Sequence, residues 1–329
     1  MSRQDKKINN FSFKPSLPAR SRHIQSIMAS SRLRLSNYNP VEKHGQELII
    51  ATENKSLLLS FYTKHENARG LMIIIHGWEG SSSSAYVLSA GNHFYQEGFS
   101  VCRLNLHDHG ESHHLNANLF HGAMTEETFD AVRQIAALAN DIPCYLLGFS
   151  LGGNFALRIA AKNSAQPIAN LKHVFAVSPP LDPYKTTLAI DTGYSFYRKY
   201  FLKKWKRSLS KKQQLFPDRY DFRDMMKAKT CIELTEAIMT YYPELPYYRD
   251  YFQLYTLKNN FFQSFNVPVT VIISKDDPVI PVEDFINLQE NDYFELSVQN
   301  YGGHCGFLDF FPFSCWHERK IAEVINHTE

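Results

Sequence analysis

Three short stretches of this chain hold side chains that together could cleave an acyl bond. The first is Gly148-Phe149-Ser150-Leu151-Gly152, which lies between an apolar run at 143–147 and a segment of helical character at 154–162. Strand, G-x-S-x-G and helix in that order make a sharp turn that lifts a serine hydroxyl above a sheet. The helix start behind it offers free backbone N–H groups and partial positive charge to a developing oxyanion. A serine attacks only when a base takes its proton, and that base needs a carboxylate to fix its tautomer. The carboxylate is expected just past the apolar run at 269–274, in Lys275-Asp276-Asp277-Pro278-Val279-Ile280-Pro281. Asp277 is the expected acid, because the turn that follows would hold it rigidly; Asp276 is the reserve, with a turn-capping role otherwise. The base is expected in Tyr301-Gly302-Gly303-His304-Cys305-Gly306, where glycines on both sides let a loop carry His304 to the serine. Leu71–Ile75, another apolar run, ends at His76-Gly77-Trp78-Glu79-Gly80. In this arrangement the loop after that strand gives one oxyanion donor and the residue after the nucleophile the other, which makes them the N–H groups of Trp78 and Leu151.

The elements that must position these residues alternate. Strand-like runs lie at 47–52, 56–62, 71–75, 99–106, 145–148, 173–177, 267–273 and 293–297, and helical segments at 85–96, 126–139, 153–162 and 282–289. The later strands are unbroken apolar runs, as expected for strands buried on both faces of a parallel sheet. Thr125 is placed to cap the second helix, with Glu126 and Glu127 complementing its dipole. The pattern implies an α/β fold: a mostly parallel central sheet with helices on both faces and its site at the carboxyl ends of the strands. Residues 1–44 are expected as an irregular basic arm, 45–178 and 266–329 as the core, and 179–265 as a helical lid insertion.

Composition narrows the class. The 329 residues are 44% hydrophobic and 21% charged, ordinary for a globular protein, and a net charge of +2 gives no global argument for nucleic acid. Five scattered cysteines without a C-x-x-C pattern point to reduced thiols and a cytoplasmic setting. The N-terminus lacks the apolar core of a secretory signal, and no uncharged apolar run is long enough to span a bilayer.

With these motifs the chain resembles the α/β-hydrolase superfamily, and within it the YheT-like branch. The likeness rests on His76–Ser84, Gly148–Asn154, Asp276-Asp277-Pro278 and Gly302–Phe307, joined upstream by His23-Ile24-Gln25-Ser26-Ile27, and covers most of residues 15–325. It implies an α/β-hydrolase fold and a serine hydrolase of carboxylic esters, with acylglycerols and phospholipids among the substrates of eukaryotic relatives. One departure is His107-Asp108-His109-Gly110-Glu111-Ser112, which replaces the Arg-Gly-type turn common in the branch.

His107, Asp108, His109, His113, His114 and His121 are dense enough to suggest a metal. Their spacing fits no standard zinc pattern, so a polar, solvated loop is expected, with no metal and no organic cofactor. In the insertion, Tyr197, Phe201, Trp205 and Leu209 recur every four residues among Arg198, Lys199, Lys203, Lys204, Lys206, Arg207, Lys211 and Lys212. That stripe suits a lid packed on the enzyme with its charges in water; the other reading is weak contact with an anionic membrane surface. Tyr241, Tyr242, Tyr247, Tyr248, Tyr251 and Phe252 would wall a site for an apolar, lipid-like ester. The expected chemistry is ester hydrolysis through an acyl-enzyme on Ser150, Asp277 and His304. Acyl transfer through the same intermediate and a non-catalytic lipid-binding protein are the alternatives.

Overall fold

The computed structural model describes residues 12–35, 38–139, 141–245, 247–310 and 313–328. An outer hairpin, β1 (Gln46–Ala51) and β2 (Leu57–Thr63), leads into β3 (Gly70–Ile75), β4 (Phe99–Leu104), β5 (Cys144–Phe149), β6 (Leu171–Val177), β7 (Val269–Ser274) and β8 (Phe294–Gln299). Every residue of β3, β4, β5 and β7 is buried, the consequence of runs such as Leu-Met-Ile-Ile-Ile that have no polar face. The eight strands lie in the order β1-β2-β4-β3-β5-β6-β7-β8, with β2 antiparallel to both neighbours and the rest parallel.

Side chains alternate across the sheet and build two cores. Leu71 and Ile73 join Phe129, Val132, Phe155 and Ile159 of α4 (Thr125–Ala137) and α5 (Leu151–Asn163) on one face. Met72 and Ile74 join Val87, Leu88, Phe94, Ile321 and Ile325 of α3 (Ala85–Gln96) and α10 (Trp316–Thr328) on the other. Between β6 and β7 the described residues form α6 (Pro183–Thr192), α7 (Ser195–Leu215), α8 (Cys231–Ile238), α9 (Tyr248–Gln253) and turns, with no strand. The two ends of this stretch are tied together at the elbow helix. Asn154 Nδ2 donates to the carbonyls of Pro180 (2.8 Å) and Tyr255 (3.0 Å), and Leu257 N–H donates to Leu181 O (2.8 Å).

Three expectations need correction. Residues 282–289 form only a 3₁₀ turn, Val282–Phe285, after which Asn287 takes a left-handed φ of 62° that ends helical winding. Thr125 is the first residue of α4 and not its cap; its hydroxyl instead accepts from Arg158. The stretch before β1 is not irregular where it is described. Ser21 caps α1 (Arg22–Ala29) by accepting from Ile24 N–H, and Asn39 caps α2 (Pro40–Lys43) by accepting from Glu42 N–H. The basic residues Arg3, Lys6 and Lys7 of the arm lie outside the described residues.

Candidate active site

Ser150 stands between the end of β5 and the start of α5 with φ 52° and ψ −121°, a conformation that side-chain-bearing residues avoid. The surroundings hold it there. Ser150 N–H donates to Val177 O at 2.8 Å, and Ser150 O accepts from Gly153 and Asn154 at 2.8 and 3.1 Å. The turn is tight enough to require its glycines: a Cβ on Gly148 would lie 2.2 Å from Gly152 O, and one on Gly152 would lie 2.4 Å from His76 O.

His304 joins the serine to the acid. Its Nε2 lies 3.0 Å from Ser150 Oγ and its Nδ1 lies 2.9 Å from Asp277 Oδ2. Asp277 is held as the turn after it suggests, because its Oδ1 accepts from Val279 N–H (2.8 Å) and Ile280 N–H (3.0 Å). Asp276 turns elsewhere, and its Oδ1 accepts from Gly303 N–H at 2.9 Å, so it fastens the loop that carries the histidine. Burial would lower the His304 pKa; the Asp277 carboxylate opposes it, with Cys305 adding to the effect, and the pKa stands well above the ordinary histidine value.

Trp78 and Leu151 both border the cavity at Ser150, and among the described residues neither backbone N–H has a protein acceptor. Such donors are free to meet an oxyanion. The loop bearing Trp78 is fixed from two sides. Buried His76 accepts from Leu106 N–H at Nε2 (3.1 Å), so its Nδ1–H donates to Gly77 O (2.7 Å). From above, α7 grips the next two residues. Phe201 stacks on the Trp78 ring at 5.4 Å between centroids, Trp205 meets it edge-on at 5.0 Å, and Lys204 Nζ donates to Glu79 O at 3.1 Å.

Two cavities meet at Ser150. One, of about 90 Å³, runs beneath the helices that follow β6 and is walled by Phe120, Tyr242, Tyr251, Phe252 and Tyr255. The polar ends of two of these rings are already satisfied, since Tyr251 OH accepts from Gly122 N–H (2.9 Å) and Tyr242 OH donates to Phe120 O (3.2 Å). They therefore present apolar faces to the cavity. Of the expected aromatic wall, Tyr247 is instead exposed and Tyr241 bonds Asp221. The second cavity, of about 440 Å³, opens from Ser150 and His304 between α1, the serines at 81–84 and the first turns of α7.

The histidine-rich loop is not the solvated loop expected from its polarity. His107, Asp108, His109, Ser112 and His113 are all buried, while His114 is exposed as expected and His121 is half-buried. Lys212 of α7, itself buried, anchors the loop: its ammonium reaches Asp108 Oδ1 (2.6 Å), Asn116 O (2.7 Å) and His113 O (3.3 Å). His107 lies between Glu127 Oε1 (3.2 Å) and Asn118 O (3.0 Å). Burial pushes His109 down to about 4 and His113 down to about 3, and His113 Nε2 pairs with Ser208 Oγ at 2.7 Å. The charges of α7 are accordingly not all in water: Lys206 bonds Met226 O and Ala228 O, while Lys199, Lys203 and Arg207 do face outward. Among the described residues the one group spaced for a metal is Cys315, His317 and Glu318, far from this loop in sequence. A cation already sits in it, because Arg34 donates to Cys315 Sγ (3.3 Å) and Glu318 Oε1 (3.1 Å).

Sequence reasoning missed two residues of α1. Ser26 Oγ accepts from His304 N–H at 2.9 Å, and Gln25 bonds both the N–H (2.8 Å) and the carbonyl (2.7 Å) of Leu308. Their only signal is membership of the segment His23–Ile27 that resembles the branch.

A family model described as the alpha/beta hydrolase fold matches residues 70–310, and the chain belongs to that family. Its relatives are of lipase and esterase type. The chain is 22% identical over 299 residues to Phospholipase ABHD3 of Mus musculus, covering 86% of this chain and 71% of that one. It is 22% identical over 277 residues to Monoacylglycerol lipase of Saccharomyces cerevisiae, covering 79% and 60%. Against the Putative esterase YheT of Escherichia coli it is 23% identical over 250 residues, covering 72% and 70%. Among solved structures it is similar in fold to the Pyrococcus furiosus esterase Pf2001, with a TM-score of 0.57, 17% identity and coverage of 89% and 97%.

Proposed function

We propose that the protein hydrolyses carboxylic esters with apolar acyl groups through an acyl-enzyme on Ser150. The observation that carries this reading is the single imidazole of His304 bridging Ser150 Oγ and Asp277 Oδ2 at the junction of an apolar and an open cavity. The acyl chain lies among the aromatic rings and the alcohol portion in the larger cavity. Ser150 Oγ attacks the ester carbonyl as His304 Nε2 takes its proton, and the oxyanion rests on the N–H groups of Trp78 and Leu151. His304 then protonates the departing alcohol. Water, deprotonated by the same nitrogen, releases the acid and restores the serine. The relatives named phospholipase, monoacylglycerol lipase and putative esterase support an ester substrate.

The test is a panel of p-nitrophenyl esters of increasing acyl length. Turnover should fall once the acyl chain outgrows the smaller cavity, and widening that cavity with Tyr242→Ala should move the optimum to longer chains. A profile unchanged by that substitution would remove the acyl assignment; no turnover of any ester by folded protein would remove the hydrolase reading.

A further inference from the structure

The outer flank of α7 and the exposed side of α1 form one surface. His23 Nδ1 lies 3.1 Å from Tyr197 OH, and the His23 ring meets the Tyr194 ring edge-on at 4.3 Å. The stripe Tyr197, Phe201, Trp205 and Leu209 faces the protein: Tyr197 and Leu209 are buried, and Phe201 and Trp205 pack on Trp78. It is therefore unavailable to any membrane in this conformation. Beside it, five other large apolar side chains are left open to solvent: Ile24 (43%), Ile27 (56%), Tyr194 (53%), Phe196 (38%) and Tyr200 (41%). Ile27, Phe196 and Tyr200 also line the larger cavity that reaches Ser150 and His304.

The two segments that meet here are rich in cations along the sequence. Residues 12–35 hold Lys14, Arg20, Arg22, Arg32 and Arg34 and no Asp or Glu, and α7 holds eight Lys or Arg and no Asp or Glu. Not all of these charges are open: Arg32 pairs with Glu42 (2.8 Å), Lys211 pairs with Glu111 (2.6 Å), and Arg34 and Lys212 are buried against Glu318 and Asp108. Arg22, Lys199 and Lys203 are exposed there. Apolar side chains interspersed with cations suit a bilayer, where the first enter the acyl boundary and the second meet anionic headgroups. An acidic protein partner would match the cations but leave the scattered apolar side chains without a complementary surface.

We propose that α1 and the N-terminal half of α7 dock the protein on an anionic phospholipid bilayer, with the larger cavity opening toward it. The proposal goes beyond the ester chemistry and is read without turnover. The experiment is co-sedimentation of the full chain with vesicles of phosphatidylcholine, with and without phosphatidylglycerol, at low and high salt. Wild type should bind the phosphatidylglycerol vesicles, bind pure phosphatidylcholine weakly, and lose binding as salt screens the charges. At low salt, Lys199→Gln with Lys203→Gln should weaken binding by roughly tenfold or more, and Ile24→Asp with Tyr194→Asp should weaken it as well. None of these four side chains lines the cavities at Ser150, so cleavage of a short soluble ester should stay at the wild-type rate and certify the fold. No binding to phosphatidylglycerol vesicles, or binding indifferent to both double substitutions, would overturn the proposal. So would retention on an acidic polymer with no vesicle binding, which would point to an acidic macromolecule.

Discussion

Lys204 Nζ donates to the carbonyl oxygen of Glu79 at 3.1 Å, so the helix above the site holds the residue that follows the proposed oxyanion donor Trp78. Phe201 and Trp205, the neighbours of Lys204 on that face, hold the Trp78 ring itself. The position of α7 and the aim of the Trp78 N–H are thereby coupled.

Lys204→Met should loosen that aim. Deleting an oxyanion donor outright costs roughly 10²–10³ in kcat, so relaxing one should cost less, about tenfold. The loss should fall on kcat with KM little changed, and Lys204→Arg should recover part of it. A rise in KM at constant kcat would mean that Lys204 serves substrate binding instead.

Asp277→Asn should cost roughly 10⁴ in kcat by analogy with the acid of serine proteases. Asp276→Asn should cost far less, because Asp276 bonds a backbone N–H in the histidine loop and not the imidazole. Steady-state kinetics of the two variants decide the matter; a reversed order would reassign the acid.

The pH profile follows from the direction of the His304 shift. Its folded pKa lies well above 6.5, and only the neutral imidazole takes the serine proton. The ratio kcat/KM should therefore rise with pH along a limb centred above that value. Asp277→Asn should move the limb downward in whatever activity remains. The stability contribution has the opposite trend: a raised histidine pKa stabilises fully below 6.5 and the contribution is lost as pH rises through the folded value. A limb centred at or below 6.5 would contradict the Asp277 pairing.

Lys212→Met should destabilise the fold, since it leaves Asp108 buried without its cation. Removing one partner of such a pair typically costs about 3–5 kcal/mol. Urea unfolding should show it as a lowered midpoint, and Asp108→Asn combined with Lys212→Met should recover part of the loss. An unchanged midpoint would mean that the pair is solvated and that α7 is not anchored through it.

Much of this was legible in the residues. The apolar runs are sheet strands because no polar face interrupts them, and residues 71–75 lie wholly within β3. Ser150, Asp277 and His304 meet because each follows a strand of one parallel sheet. What stayed hidden depends on long-range contact: Ser26 and His304 are 278 positions apart, and nothing local to either announces their bond. The buried histidine loop had a trace that polarity obscured. Lys212 lies three residues past Leu209 and seven past Trp205, on the same helical face as the apolar stripe, where a lysine is expected to be buried against a carboxylate.

Whether Ser150 is the nucleophile is decided by fluorophosphonate labelling of wild type beside Ser150→Ala, read by peptide mass and by ester turnover. Wild type should carry a phosphonyl adduct on the peptide bearing Ser150, the variant should carry none, and kcat should fall by roughly 10⁴–10⁶ in folded Ser150→Ala protein. Labelling at another residue, or more than a few per cent of wild-type turnover in that variant, would contradict that role.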